Sequence, residues 1–321
     1  MFPTIQATIA VTTAADQTSQ FNIRLGNAQQ RLAPLGLLCQ NWSNITELEI
    51  NALNALGYHH MMGQDWPECR VHEALQALEN FLRRLVESQC KNGGQLRHLK
   101  LFMCREECAV EKKDRTRCLL RRLLGLPSLD TLTASGQVES LLKSNPSAVR
   151  HVNLPYSIRN EGDAIWDLLS TELSPTLESL HLCKFRTARD PLQCYHTSIN
   201  ALRALTLDTL LQSNSSALAL DPLAALAPNL RSLTIKTLRV PQDGSDSVLA
   251  SYRSFINRCP LLELLQVNKV EVDDPASKFK LVRLQTLPQF ALDLRSRAAI
   301  QKAFPHVGNQ PATQTRKRKL E

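Results

Sequence analysis

The sequence predicts an α/β solenoid, with parallel strands side by side on one face and helices on the other. Three observations lead to that expectation. A six-residue frame, aliphatic-x-x-aliphatic-x-aliphatic, recurs with starts at residues 45, 96, 129, 149, 177, 202, 230 and 262. Of its 24 aliphatic positions 23 are Leu, Ile or Val, against 80 of 321 residues in the whole chain. The starts fall 20 to 51 residues apart, mostly within the range of a stacked repeat unit. Between the frames lie stretches of helical periodicity ended by Pro or Gly, so the order helix, breaker, strand repeats along the chain. A strand joined to the next through a helix gives parallel neighbours.

Taken in order, the first frame is "ITELEI" (45–50). The loop-like "GYHHMMGQDWPEC" follows, and then an amphipathic helix over 71–90 with Val71, Leu75, Leu78, Leu82, Leu85 and Val86 on one face. "LRHLKL" (96–101) is the second strand. "CLLRRLLGLPSL" carries a helix, a glycine and a proline into "LDTLTA" (129–134), the one frame that ends on alanine. "VESLLKSNPSAV" leads to "VRHVNL" (149–154), and "EGDAIWDLLSTEL" (161–173), with Ile165, Leu168, Leu169 and Leu173 at helical spacing, to "LESLHL" (177–182). "LRALTL" (202–207) and "LRSLTI" (230–235) follow. "SDSVLASYRSFINRC" (245–259) sets Val248, Tyr252, Phe255 and Ile256 on one helix face before "CPLLELLQV" (259–267). A ninth copy near "LVRLQTL" (281–287) is too degraded to count.

Burying one large aliphatic side chain contributes about 1.5 to 3 kcal/mol, so three per unit outweigh most local preferences. No unit can bury its own row alone, and stacking does so.

Net charge is +8, from 38 basic and 30 acidic residues. Half of it is "RKRK": without Arg316, Lys317, Arg318 and Lys319 the body holds 34 basic and 30 acidic residues, or +4. So mild a balance does not predict a protein built around a nucleic-acid backbone. The four basic residues form a nuclear-localisation candidate at a polar terminus. No run approaches the roughly 18 apolar residues of a membrane span. The amino-terminal apolar patch has no basic residue before it and is interrupted by Thr8, Thr12 and Thr13, so no export signal is expected. The nine cysteines follow no framework spacing and are expected as reduced thiols.

Catalytic and cofactor signatures are missing. No two glycines form G-x-G, there is no phosphate-binding loop, and no G-x-S-x-G elbow occurs. "HEALQ" (72–76) has Gln76 where a second zinc-binding histidine would lie. Two loose sets, His98 with Cys104, Cys108 and Cys118, and His59, His60, Cys69 and His72, lack the tight pairs a structural zinc uses. The expectation is a chain that is not an enzyme and has no cofactor or metal. The run "EKKDRTRCLLRR" (111–122) has six basic residues with no aromatics between them for base stacking, and reads as a solvated helix face.

The segments "CPLLELLQV", "SPTLESLHL", "APNLRSLTI" and "GGQLRHLKL" resemble leucine-rich repeats. They are closest to the variety with Pro or Cys-Pro before the strand, known from F-box and leucine-rich-repeat substrate receptors. The resemblance covers roughly residues 40–290 and implies a horseshoe with strands on the concave face and helices on the convex face. The Asn or Cys that usually follows the last frame aliphatic by three residues is matched only by Cys104. Elsewhere the position holds Leu53, Gln137, Ser157, Phe185, Leu210, Leu238 and Val270. Nothing near the amino terminus matches the Leu-Pro-x-Glu opening of an F-box. The expected organisation is a weakly structured head (1–25), an irregular solenoid of eight or nine units (26–300), and a flexible basic tail (301–321).

Side chains alternate along a strand, so frame positions four and six face the core while three, five and seven face outward. The outward positions chosen as a binding surface are His98, Lys100, Phe102, His151, Asn153, Ser179, His181, Thr206, Asp208, Thr234, Lys236 and Gln266. They are mostly small or polar with few charges, which suits a protein ligand better than a phosphate backbone. The expected function is a protein-binding scaffold, cytoplasmic or nuclear. The resemblance adds the specific version of a ubiquitin-ligase substrate receptor that meets a cullin-ligase adaptor. The competing expectation is a nuclear, nucleic-acid-associated protein using residues 111–122 and the tail.

Overall fold

The computed structural model describes residues 6–13, 18–24, 45–51, 68–91, 93–102, 118–135, 149–156, 175–186, 198–211, 220–240, 245–273 and 284–305. The chain forms two compact units, residues 1–185 and 186–321. Each is α/β with an open, mostly parallel sheet.

The first unit contains β1 (Gln6–Thr13), β2 (Thr18–Arg24), β3 (Ile45–Asn51), helix α1 (Glu68–Lys91), β4 (His98–Phe102), a helical segment at 118–124, β5 (Thr131–Ser135), β6 (His151–Tyr156) and β7 (Ser179–Arg186). The strand order is β7-β6-β5-β4-β3-β1-β2. Strands β3 to β7 are parallel, and the frames lie in register: Leu48, Leu99, Leu132, Val152 and Leu180 form one row. The apolar face of α1 supplies buried Phe81, Leu82, Leu85 and Val86, and the 118–124 segment supplies Leu119, Leu120, Leu123 and Leu124. On α1, Leu82, Leu85 and Val86 lie on the face the periodicity predicts, while the side chains of Val71, Leu75 and Leu78 lie outside the described residues.

The second unit contains β8 (Ala204–Leu211), α2 (Asp221–Leu226), β9 (Ser232–Val240), α3 (Ser245–Arg258) and β10 (Leu264–Asp273). It continues with β11 (Leu284–Thr286), a 3-10 turn (Pro288–Phe290), β12 (Leu292–Leu294) and α4 (Arg297–Ala303). Strands β8, β9 and β10 are parallel. The helix predicted at 245–259 forms as α3, with Val248, Tyr252, Phe255 and Ile256 buried as its periodicity requires. Cys259 and Pro260 turn the chain into β10: the Cys259 amide donates to Phe255 O at 2.9 Å, and the Leu262 amide to Cys259 O at 3.1 Å. The Cys259 thiol is buried, and burial pushes it up to about 12, a packing residue rather than a reactive one.

All 24 frame residues are buried, none more than 6% exposed. The position three residues after the last frame aliphatic is filled differently in the two units. In the second unit Leu210, Leu238 and Val270 are buried, and register places Leu210 beside Leu238 and Leu238 beside Val270. An aliphatic row extends the strands past the frames, so β8, β9 and β10 run 8, 9 and 10 residues. In the first unit Gln89, 2% exposed, bridges backbone groups: its Nε2 donates to Ile45 O at 3.3 Å and its Oε1 accepts from the Leu96 amide at 3.1 Å.

Three regions show detail beyond the frames. Within the expected head (1–25), residues 6–13 and 18–24 are strands: β1 and β2 pair antiparallel, and β1 pairs with β3. Their Thr-, Ile- and Val-containing sequence has strand propensity, and the unpaired edge of β3 gives it a template. The degraded copy near 281–287, not counted as a repeat, forms no parallel strand among the described residues. β11 and β12 both lie antiparallel on β10, and Pro288 breaks the pairing between them. At the start of the expected tail (301–321), α4 runs to Ala303, and Ile300 and Phe304 are buried. A smaller difference concerns Pro155. The pairing of β5 with β6 shifts so that Ser135 faces Tyr156 instead, as expected where proline offers no amide to the ladder.

Candidate interaction surface

The strands that bury the frames carry the other side chains outward in rows. In the first unit Glu47, His98, Thr131, His151 and Ser179 form one row, and Glu49, Lys100, Thr133, Asn153 and His181 the next. The predicted residues His98, Lys100, His151, Asn153, Ser179 and His181 therefore share one sheet face. His98 is exposed and the other five are half-buried. Phe102 occupies β4 as expected, while its side chain lies outside the described residues. Lys100 is ion-paired with Glu47, and His151 Nε2 lies 3.7 Å from Asp130 Oδ2.

In the second unit Thr206, Thr234 and Gln266 form a row that continues antiparallel to Asp293. Lys236 Nζ pairs with Asp208 Oδ1 at 2.7 Å, joining β8 to β9. All five predicted residues of this unit are at least partly exposed on one face. Each unit thus presents a polar, largely charge-compensated sheet face.

Two features escaped the alternation argument. The first is frame position two. Its carbonyl accepts backbone N–H groups from the next repeat: Arg97 O from Asp130 and Thr131, Asp130 O from Arg150 and His151, and Arg150 O from Glu178 and Ser179. Arg203 O and Arg231 O do the same in the second unit. In the first unit the side chains at this position alternate in sign from Arg97 through Asp130 and Arg150 to Glu178. Arg150 Nε meets Asp130 Oδ1 at 2.8 Å and its Nη1 lies 3.6 Å from Glu178 Oε1. Burial alone would raise the Asp130 carboxyl, but the Arg150 hydrogen bond and charge, with His151, hold it below its ordinary value. The letters R, D, R and E after the first aliphatic of successive frames were a readable signal.

The second feature is an irregularity in burial shared by β8, β9 and β10. Alternation slips there, so that two consecutive residues avoid burial: Asp208 and Thr209, Lys236 and Thr237, Asn268 and Lys269. Beyond it Glu271, 5% exposed, accepts from Arg239 Nε at 2.9 Å and from Lys269 Nζ at 2.6 Å. Burial pushes the Glu271 carboxyl up, and the two cations outweigh it, so its pKa falls below the ordinary value.

The nuclear-localisation candidate Arg316, Lys317, Arg318 and Lys319 lies outside the described residues, as do residues 111–117 of the basic run. In the remainder of that run Leu119 and Leu120 face the core and Arg122 is exposed. His59, His60, Cys104 and Cys108 are also outside. Among the described residues no group of three or more His, Cys, Asp or Glu is placed to hold a metal ion. No described helix is long and apolar enough to cross a membrane. Comparison with protein-family models, curated proteins and solved structures finds no significant match to this chain.

Proposed function

We propose that this chain is a leucine-rich-repeat scaffold without catalytic activity that holds a protein partner on the outward faces of its parallel strands. The observation that carries the reading is the division of labour along each strand. Every frame residue is buried, while the residues between them stand in polar rows across neighbouring strands. Paired charges such as Lys100 with Glu47 and Lys236 with Asp208 leave little net field to attract a phosphate backbone. Hydrogen-bonding Thr, Ser, Asn and His side chains suit a protein surface. The specific version is a ubiquitin-ligase substrate receptor, working in the cytoplasm or nucleus, that engages a cullin-ligase adaptor through a segment outside the strands. No cofactor or metal takes part.

The test is affinity capture from cells with quantitative mass spectrometry, comparing the wild type with a variant carrying His151→Glu, His181→Glu and Thr206→Glu. The reading expects a protein partner to be depleted at least about tenfold on the variant, because three buried like-sign charges disrupt an interface. A cullin adaptor kept by both forms supports the receptor version, and its absence beside a depleted partner leaves a free-standing scaffold. Identical partners on both forms sink the sheet-face assignment. Capture of nucleic acid that weakens steeply with salt favours the basic run 111–122 and the tail.

A further inference from the structure

Two carboxylates on the outward side of the first unit each hold a permanent cation, and each has a histidine beside it. Glu47 on β3 is ion-paired with Lys100 on β4, and His98 of the same strand stands directly across from Glu47 in the register. Asp130, just before β5, accepts from Arg150 Nε at 2.8 Å through one oxygen. Its other oxygen accepts from the Thr131 hydroxyl at 3.3 Å and lies 3.7 Å from His151 Nε2. His98 and Arg150 are exposed, while Lys100 and His151 are half-buried. The groups that face His98 are Glu47 and Glu49 on β3, Arg97 and Lys100 beside it, and Asp130 and Thr131 at β5. Those around His151 are Asp130 and Thr131, the adjacent Arg150, and Glu178 and Ser179 at β7, with Arg150 Nη1 3.6 Å from Glu178 Oε1. Among these groups four are acidic (Glu47, Glu49, Asp130, Glu178) and three basic (Arg97, Lys100, Arg150), a balance of −1 that two protonated histidines turn to +1.

We propose that this face is a proton-gated site for an acidic segment of the protein partner, an inference that rests on the scaffold reading above. Histidine is the side chain that gains its charge between about pH 8 and 5. Protonated His98 competes with Lys100 for Glu47, and protonated His151 competes with Arg150 for Asp130. Each carboxylate then has two cations to share, and Lys100 and Arg150 turn to carboxylates of the partner, where charge-assisted hydrogen bonds hold them. Near neutrality the charges are almost balanced within the face, so the segment is held weakly. Acidification reverses the sign of the face and supplies the complementary charge.

The test uses the full chain and a fluorescent oligo-aspartate peptide as the probe, with binding read by anisotropy from about pH 7.5 to about pH 5.5, where aspartate stays ionised. The wild type is expected to bind about tenfold more tightly at the acid end, and to lose most of that gain in high salt. A variant with His98→Gln and His151→Gln is expected to lose most of the pH dependence. A variant with His98→Lys and His151→Lys should bind near neutrality as the wild type does in acid. That gain excludes misfolding as its cause. A wild-type affinity that stays flat across the range overturns the proposal, as does full pH dependence in the glutamine variant. Should the glutamine variant fail to fold by circular dichroism, the wild-type profile and the lysine variant still decide. A flat profile beside a partner lost from the His151→Glu, His181→Glu and Thr206→Glu chain overturns the proton gate alone. Identical captured partners on that chain and the wild type overturn the scaffold reading and this inference with it.

Discussion

Gln89 and Gly94 illustrate how single residues hold the first unit together. The Gly94 amide donates to Gln89 O at 2.8 Å, closing the end of α1, and Gly93 takes a positive φ of 63° there. A Cβ on Gly94 would fall 2.7 Å from the Gln89 Cα and strike the side chain that bridges Ile45 and Leu96. Gly94→Ala is therefore expected to cost about 1–3 kcal/mol, read as a lower urea midpoint with an unchanged slope. Gln89→Leu leaves the buried Leu96 amide without its acceptor and should cost a similar about 1–3 kcal/mol. Glu271 makes the pH prediction. Its carboxyl is held below the ordinary 4.5, so the stability it contributes is complete above that value and lost as pH falls through the lower folded value. Glu271→Gln should lower stability near neutrality and flatten its acid decline, measured by denaturation at a series of pH values. An unchanged acid decline would count against the ion-pair account.

At the scale of elements, the carboxy-terminal cap of the second unit depends on α3 as well as on β10. Buried Tyr252 donates its hydroxyl to Phe290 O at 2.9 Å, and the Leu287 amide donates to Val270 O at 2.9 Å. Tyr252→Phe should cost about 1 kcal/mol and speed amide exchange over 284–294 before any other segment. The aliphatic row of Leu210, Leu238 and Val270 makes the opposite case, for packing over polar bonding. Leu238→Ala opens a cavity between two strands and should cost about 2–5 kcal/mol in a thermal or urea melt. The frames, the α1 face and the α3 face were legible in the sequence because apolar spacing alone fixes which side is buried. β11 and β12 were not legible. Three-residue strands carry no periodicity, and what makes them strands is the edge of β10, set by residues 11 to 29 positions away. The outward positions were read correctly up to the irregularity in β8, β9 and β10, where alternation slips by one residue and the letters do not announce it.

Across the molecule, two compact units of stacked strands predict local rather than uniform responses to mutation. Leu238→Ala should accelerate hydrogen exchange in β8, β9 and β10 more than in β3, β4 and β5, and Gly94→Ala should do the reverse. Equal acceleration in all six strands would show that the chain unfolds as one cooperative body. The outward faces yield a prediction at this scale as well. Partner binding lost through His151→Glu, His181→Glu and Thr206→Glu should depend only weakly on salt, since the charges on these faces are already paired internally.

The sequence by itself determined the repeat, the class of fold, the parallel strands and the identity of every buried frame residue. It could do so because burial follows a spacing of a few residues, and that spacing is local. The tertiary structure alone decided what happens at the margins: the hairpin on β3, the broken antiparallel cap on β10, and the aliphatic row that extends β8, β9 and β10. It also decided which position-two charges meet, such as Arg150 with Asp130 across 20 residues. Each of these depends on an edge or a neighbour that exists only once the strands have stacked, and no local pattern encodes a partner still distant in the chain.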